Sequence, residues 1–192
     1  MTTLKERLQS IESRMEMAAR AAGRNRDETK LIAICKTFPA EIVSEAAACG
    51  QFRFGENKVQ EAATKIPQVD SPHPLEWHLV GHLQTNKARR AAELFDWIHS
   101  VDSLKLLAKL QEAASEIGKV LSVLVQVDLA GEETKSGIEP DRVEELLAAA
   151  MNFSNIRVRG LMILPPFLPD PEEVRLYFRQ LRELRDDLSW QF

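Results

Sequence analysis

Apolar positions change period repeatedly along this chain, and the changes divide it into alternating helices and strands. The first stretch places Leu4, Leu8, Ile11, Met15 and Ala19 at spacings of three and four, an apolar stripe on an otherwise polar helix that Thr2 or Thr3 can cap. Such a helix needs a larger body to lie against. From Lys30 onward the text alternates. "KLIAICK" reads as a buried strand, and "PAEIVSEAAACG" as a helix with Pro39 in its first turn and Gly50 just past its end. Strand and helix follow in turn through "QFRFGEN" and "KVQEAATKI", "LEWHLVGH" and "QTNKARRAAELF", "DWIHSVD" and "SLKLLAKLQEAASEIG". The series closes with "KVLSVLVQVDLA", the longest expected strand, then "EPDRVEELLAAAMNF", "NIRVRGLMILPP" and "DPEEVRLYFRQLRELRDDL". Six βα units therefore follow the leading helix.

Several strands are unbroken apolar runs, the pattern of parallel strands covered on both faces. Regular alternation predicts an α/β fold with a parallel sheet. An open dinucleotide-binding sheet should show G-x-G-x-x-G after its first strand, and "CKTFPAE" holds no glycine. A TIM-type (βα) barrel instead gathers chemistry at the C-terminal ends of its strands. Lys36, Glu56, Asn57, His82, Asp102, Asp128 and the loop "GEETKSG" all fall there. The expected architecture is a single barrel domain over residues 1–192, with six units visible and strands seven and eight absent.

Composition and charge narrow the function classes. With 192 residues, 44% hydrophobic and 28% charged, the chain can bury one substantial core. A formal net charge of −4 offers no electrostatic footprint for nucleic acid or anionic lipid. No apolar run approaches the roughly 20 residues that cross a bilayer. The N-terminus lacks the apolar core of a secretory signal, and Cys35 and Cys49 are too few for a disulfide framework. A soluble protein of a reducing cytoplasm is the expectation.

The candidate chemistry begins at Lys36. Along its strand Lys36 shares a face with Ile32 and Ile34, while Leu31, Ala33 and Cys35 share the other. Both faces are apolar, so the period leaves two readings open. Lys36 is either a solvated strand end or a sheltered amine of depressed pKa, able to attack an aldehyde. Asn57 either caps the next helix or offers its amide to a ligand at the strand end. His78 and His82 are four apart, but His78 lies in a strand and nothing nearby completes a zinc set. "NKARR" reads as a solvated helix face, and Cys35 lacks the neighbours of a thiol nucleophile.

Taken together, "LIAICKTFP", "FRFGENKVQEA", "EWHLVGHLQTNKARRAAELFDWIHSVDS", "VLVQVDLAGEETKSGI" and "VRGLMIL" resemble the pyridoxal phosphate homeostasis protein family, in order and at matching spacing from about residue 5 to 188. The resemblance implies a barrel like the N-terminal domain of alanine racemase, holding pyridoxal 5'-phosphate (PLP) as a Schiff base. The family's Schiff-base lysine falls on Lys36, and Asn57 falls near the cofactor ring. His78 and Met162 fall on motif strands whose ends face the site. Members are similar to racemases in fold but show no established turnover. They are thought to store or deliver PLP, with PLP-dependent apoenzymes as partners, and so to influence amino-acid and keto-acid balance.

The sequence also departs from the family pattern. A seventh strand with a serine-rich "GMS"-type turn and an eighth with an "R-I-G-T"-type segment would supply the phosphate cradle and an arginine near the pyridine nitrogen. This sequence ends "RELRDDLSWQF" without them. Weakened cofactor retention is expected, as is self-association through the edges of strands one and six, although the family is usually monomeric. The competing expectation is a racemase-like lysine enzyme. Racemisation needs a second acid/base, usually a tyrosine, and the one tyrosine, Tyr177, falls on the last helix.

Overall fold

Thr3 opens the first helix, α1 (Leu4–Ala21), through a reciprocal capping box: its hydroxyl accepts from the Glu6 backbone N–H, and the Glu6 carboxylate accepts from the Thr3 N–H at 2.8 Å. The computed structural model describes residues 2–131 and 136–190. Of α1 only Ala19 is buried, and Leu4 and Leu8 rest against the main core.

The expected alternation is present unit by unit. Strands β1 (Ala33–Ile34), β2 (Arg53–Glu56), β3 (Glu76–Leu79), β4 (Trp97–Val101), β5 (Leu121–Gln126) and β6 (Ile156–Met162) pair in parallel in sequential order. Helices α2 (Ala40–Ala48), α3 (Val59–Lys65), α4 (Ala88–Leu94), α5 (Leu104–Glu116), α6 (Val143–Ala150) and α7 (Pro171–Leu188) follow the strands in turn. The strand order decides between the two α/β architectures. A doubly wound sheet reverses direction at a switch point, whereas right-handed crossovers in unbroken order put every helix on one face. The chain is singly wound, as a TIM-type fold requires. Two details differ from the sequence reading: β1 is a two-residue strand, and β6 with seven residues exceeds β5 with six.

The two faces of the sheet differ in kind. One carries Phe54, Leu79, Ile98, Leu121, Val123, Val125 and Ile156, which pack with Val43, Ala62, Ala91, Leu107, Leu110 and Leu146 of the helices into the core. The other carries Arg53, Gly55, Glu76, His78, Trp97 and His99. Alanines at α3 and α4 contact positions are fully buried, which lets these short helices sit close to the strands. Among the described residues no helix is long and apolar enough to cross a membrane.

Candidate functional site

Gly55 settles which way the first strand faces. A Cβ on Gly55 would lie 2.6 Å from Ile34 Cδ1 and 3.3 Å from Ile32 Cγ2, so these isoleucines lean across it on the face away from the helices. Cys35 points the other way, buried among the core residues. Lys36 comes immediately after the strand, exposed, in a turn that the Phe38 N–H closes on the Cys35 carbonyl at 3.2 Å. Of the two readings open for Lys36, the structure has the exposed strand end: β1 ends at Ile34, and the lysine stands at the rim of the sheet.

Asn57 occupies the corresponding place beyond β2, next door through the Ile34–Gly55 pairing. It is not the helix cap. Lys58 holds that position without a side-chain cap, and the Asn57 amide makes no hydrogen bond among the described residues. Gly81, just past β3, allows the strand ends to close up, since a Cβ there would meet the Asn57 carbonyl oxygen at 2.2 Å. Further along the rim, His82 approaches Asp102 at 3.4 Å, and the Asp128 carboxylate accepts from the Ala130 and Gly131 N–H groups. Met162 ends β6, paired with Gln126, at the far end of the strand order. Residues 132–135 of the "GEETKSG" loop lie outside the described residues.

His78 is placed deeper than the rim, level with Gly55 and Trp97. It is 3% exposed and stacks on Trp97, with ring centroids 5.8 Å apart. Its Nε2 lies 3.0 Å from Glu76 Oε1 and its Nδ1 lies 2.9 Å from His99 Nε2. Arg53 Nε donates to the same Glu76 oxygen at 2.9 Å. A carboxylate only accepts, so His78 presents Nε2–H to Glu76, and its Nδ1 lone pair accepts the Nε2–H of His99. Burial works against ionised Glu76, but His78 and Arg53 more than offset it and hold its pKa below the ordinary value. Burial lowers the pKa of His78 and pushes that of His99 down to about 4, helped by the neighbouring His78. Near neutral pH the chain is Arg⁺, Glu⁻ and two neutral imidazoles.

Behind the Lys36 turn is a second network that the sequence reading missed. Glu56 ends β2 as expected, and its side chain points among the helices and is fully buried. Its Oε1 takes a hydrogen bond of 2.5 Å from Lys65 Nζ, while its Oε2 has no partner. Lys65 also donates to the Cys35 carbonyl at 2.7 Å and to Glu61 Oε1 at 2.9 Å. Burial alone would lower the Lys65 pKa; the bonds to Glu56 and Glu61 outweigh it and raise it above the ordinary lysine value. The Cys35 thiol, desolvated and 3.2 Å from Glu56 Oε1, is pushed up to about 12, which makes it a poor nucleophile. A signal for Lys65 was present: Val59, Ala62 and Lys65 fall on one helical stripe, so the lysine sits on a buried face.

The singly wound sheet with an exposed lysine just beyond its first strand defines the class. The family model described as alanine racemase, N-terminal domain, matches residues 7–191. Alanine racemase from Clostridium difficile superposes with a TM-score of 0.68 at 14% identity, over 93% of this chain and 47% of that one, a likeness of fold alone. The pyridoxal phosphate homeostasis protein of Aquifex aeolicus is 41% identical over 187 residues, 97% of this chain and 82% of its own length. That of Vibrio cholerae is 39% identical over 195 residues, 100% of this chain and 83% of its own. PipY from Synechococcus elongatus, whose structure has PLP bound, is 37% identical with a TM-score of 0.81, over 92% of this chain and 82% of that one. The chain belongs to the pyridoxal phosphate homeostasis protein family.

Proposed function

We propose that this chain binds PLP through Lys36 and serves intracellular PLP homeostasis, storing the cofactor or delivering it to PLP-dependent apoenzymes in the cytoplasm, without turnover of its own. The observation that carries this reading is the Lys36 amine. It is exposed at the rim and has no ion pair or hydrogen bond among the described residues, so none of their groups competes with an aldehyde for it. PLP would supply that aldehyde, which condenses reversibly with a primary amine. Asn57, with its amide unengaged, stands on the neighbouring strand end to orient the bound ring. His78 supports the floor of the site, one row below the rim, and keeps His99 in one tautomer. Met162 contributes an apolar contact from β6.

Titration with PLP tests this. The near-visible band of a Schiff base should appear at one equivalent, and borohydride reduction followed by peptide mass spectrometry should place the label on Lys36. Lys36→Ala should lose both. Labelling elsewhere with Lys36 untouched would overturn the assignment. Amino-acid racemisation with added PLP is expected to stay at the protein-free rate, because Tyr177 on α7 follows the last strand and belongs to no strand end.

A further inference from the structure

Thr37 is the one residue other than glycine with positive φ among the described residues, at 66°. A β-branched side chain is costly in that left-handed conformation and persists only where its surroundings enforce it. The enforcement is visible. Glu61 Oε1 accepts the Thr37 N–H at 2.6 Å, and the same oxygen accepts from Lys65 Nζ at 2.9 Å. Lys65 in turn grips the Cys35 carbonyl at 2.7 Å. The peptide group before Lys36 is thus held through its C=O, and the peptide group after it through its N–H. Both holds come from one ion pair on α3, anchored beneath by buried Glu56. Thr37 takes no part in the site as described above, and Glu61 enters it only as an acceptor for Lys65.

We infer that Glu61 and Lys65 are positioning residues for Lys36, clamping the peptides on either side of it so that the turn presents the amine at the rim in one orientation. The inference rests on the assignment of Lys36 as the PLP lysine. In the reaction that it assists, the amine adds to the aldehyde carbon and water leaves; hydrolysis reverses the step, with no change of oxidation state. A clamp on the backbone leaves the amine's own reactivity unaltered and affects only how often it meets the aldehyde correctly placed.

The test compares parent, Glu61→Ala and Glu61→Gln. Glu61 is at the edge of the buried network, so its alanine variant should keep the fold, checked by circular dichroism and thermal melting. Glu61→Ala removes the acceptor for Thr37 and should weaken Schiff-base formation with PLP about tenfold, the scale of losing one charge-assisted hydrogen bond that holds a strained residue. Glu61→Gln keeps a carbonyl oxygen in place and should restore most of the loss. Acetylation of Lys36 in the unliganded protein, followed by mass spectrometry, should proceed at the parent rate in all three, since simple access to the amine is unchanged. Pyridoxal, which lacks the phosphate anchor, should show the same order among variants. A Glu61→Ala protein that binds within twofold of the parent would overturn the inference and leave Lys36 as the PLP lysine. A parent protein with no label on Lys36 would overturn both.

Discussion

On the helix-covered face of the sheet, Lys65 lies among Glu56, Glu61 and the Cys35 carbonyl, a buried cation answering two carboxylates. On the opposite face, His78 lies between Glu76 and His99, and the charge ends at the Arg53–Glu76 pair near the strand N-termini. Both are chains of titratable groups crossing adjacent strands, yet they solve burial differently. The first keeps ions in a dry place and depends on the Lys65 amine being shared among its acceptors. The second removes the charge, leaving neutral rings that hydrogen-bond in a fixed order. The first borders the Lys36 turn and acts on backbone; the second fills the floor below the site and acts on side-chain tautomers.

The comparison breaks most sharply at Lys65. Lys65→Met strands the fully buried Glu56 carboxylate and should cost about 3–5 kcal/mol by urea denaturation. Replacing Glu56 and Lys65 together with methionine should recover most of that, because the loss comes from leaving one charge alone. Wild-type-like stability of the single variant would mean that the Lys65–Glu56 contact contributes nothing net to the fold.

The two networks should also fail at opposite ends of the pH scale. Cys35 and Lys65 have folded pKa values above their unfolded ones, so their contribution is complete at lower pH and is lost on going alkaline. For Cys35 the loss begins near pH 9 and continues toward 12, at about 1.4 kcal/mol per unit, and Cys35→Ala should flatten that part of the curve. His78 and His99 have folded values below the unfolded 6.5, so their contribution is complete above 6.5 and is lost in acid. For His99 the window runs from 6.5 down to about 4 and is worth up to about 3 kcal/mol. His99→Gln should remove that slope while leaving the alkaline arm unchanged.

Smaller effects sharpen the contrast. The Arg53–Glu76 pair is about one-third exposed, so Arg53→Ala should cost below about 1 kcal/mol. Lys36→Ala should change stability by no more than about 0.5 kcal/mol, since the side chain is exposed. That variant should nonetheless abolish PLP binding, which separates the group that meets the ligand from the networks that hold it in place.

Particular residues show how much of this was legible. The unit boundaries came through because Pro39, Gly50, Gly118 and the shift from unbroken apolar runs to period 3.6 are local signals. Lys36 and Asn57 were expected at strand ends, and the structure places them just past β1 and β2. Glu56 ends its strand as expected, but its buried side chain was not legible, because alternation shows that Phe54 and Glu56 share a face without telling which face meets helices. Arg53, Glu76 and His99 went unread, although "EWHL" puts Glu76 and His78 on one side of a strand. Thr37 carries no signal in the sequence at all, because a left-handed threonine follows from its neighbours' grip and not from its own preference.

The sequence by itself determined the βα rhythm, the class of fold and the position of Lys36 just past the first strand, since these depend on residue type and spacing within one element. Tertiary structure alone decided that Lys36 stands at the rim, that Glu61 and Lys65 hydrogen-bond the peptide groups on either side of it, and that His78 meets His99. Those facts depend on hydrogen bonds between groups such as His78 and His99, 21 residues apart, and a one-dimensional pattern does not specify which partner across the sheet a buried polar group will meet.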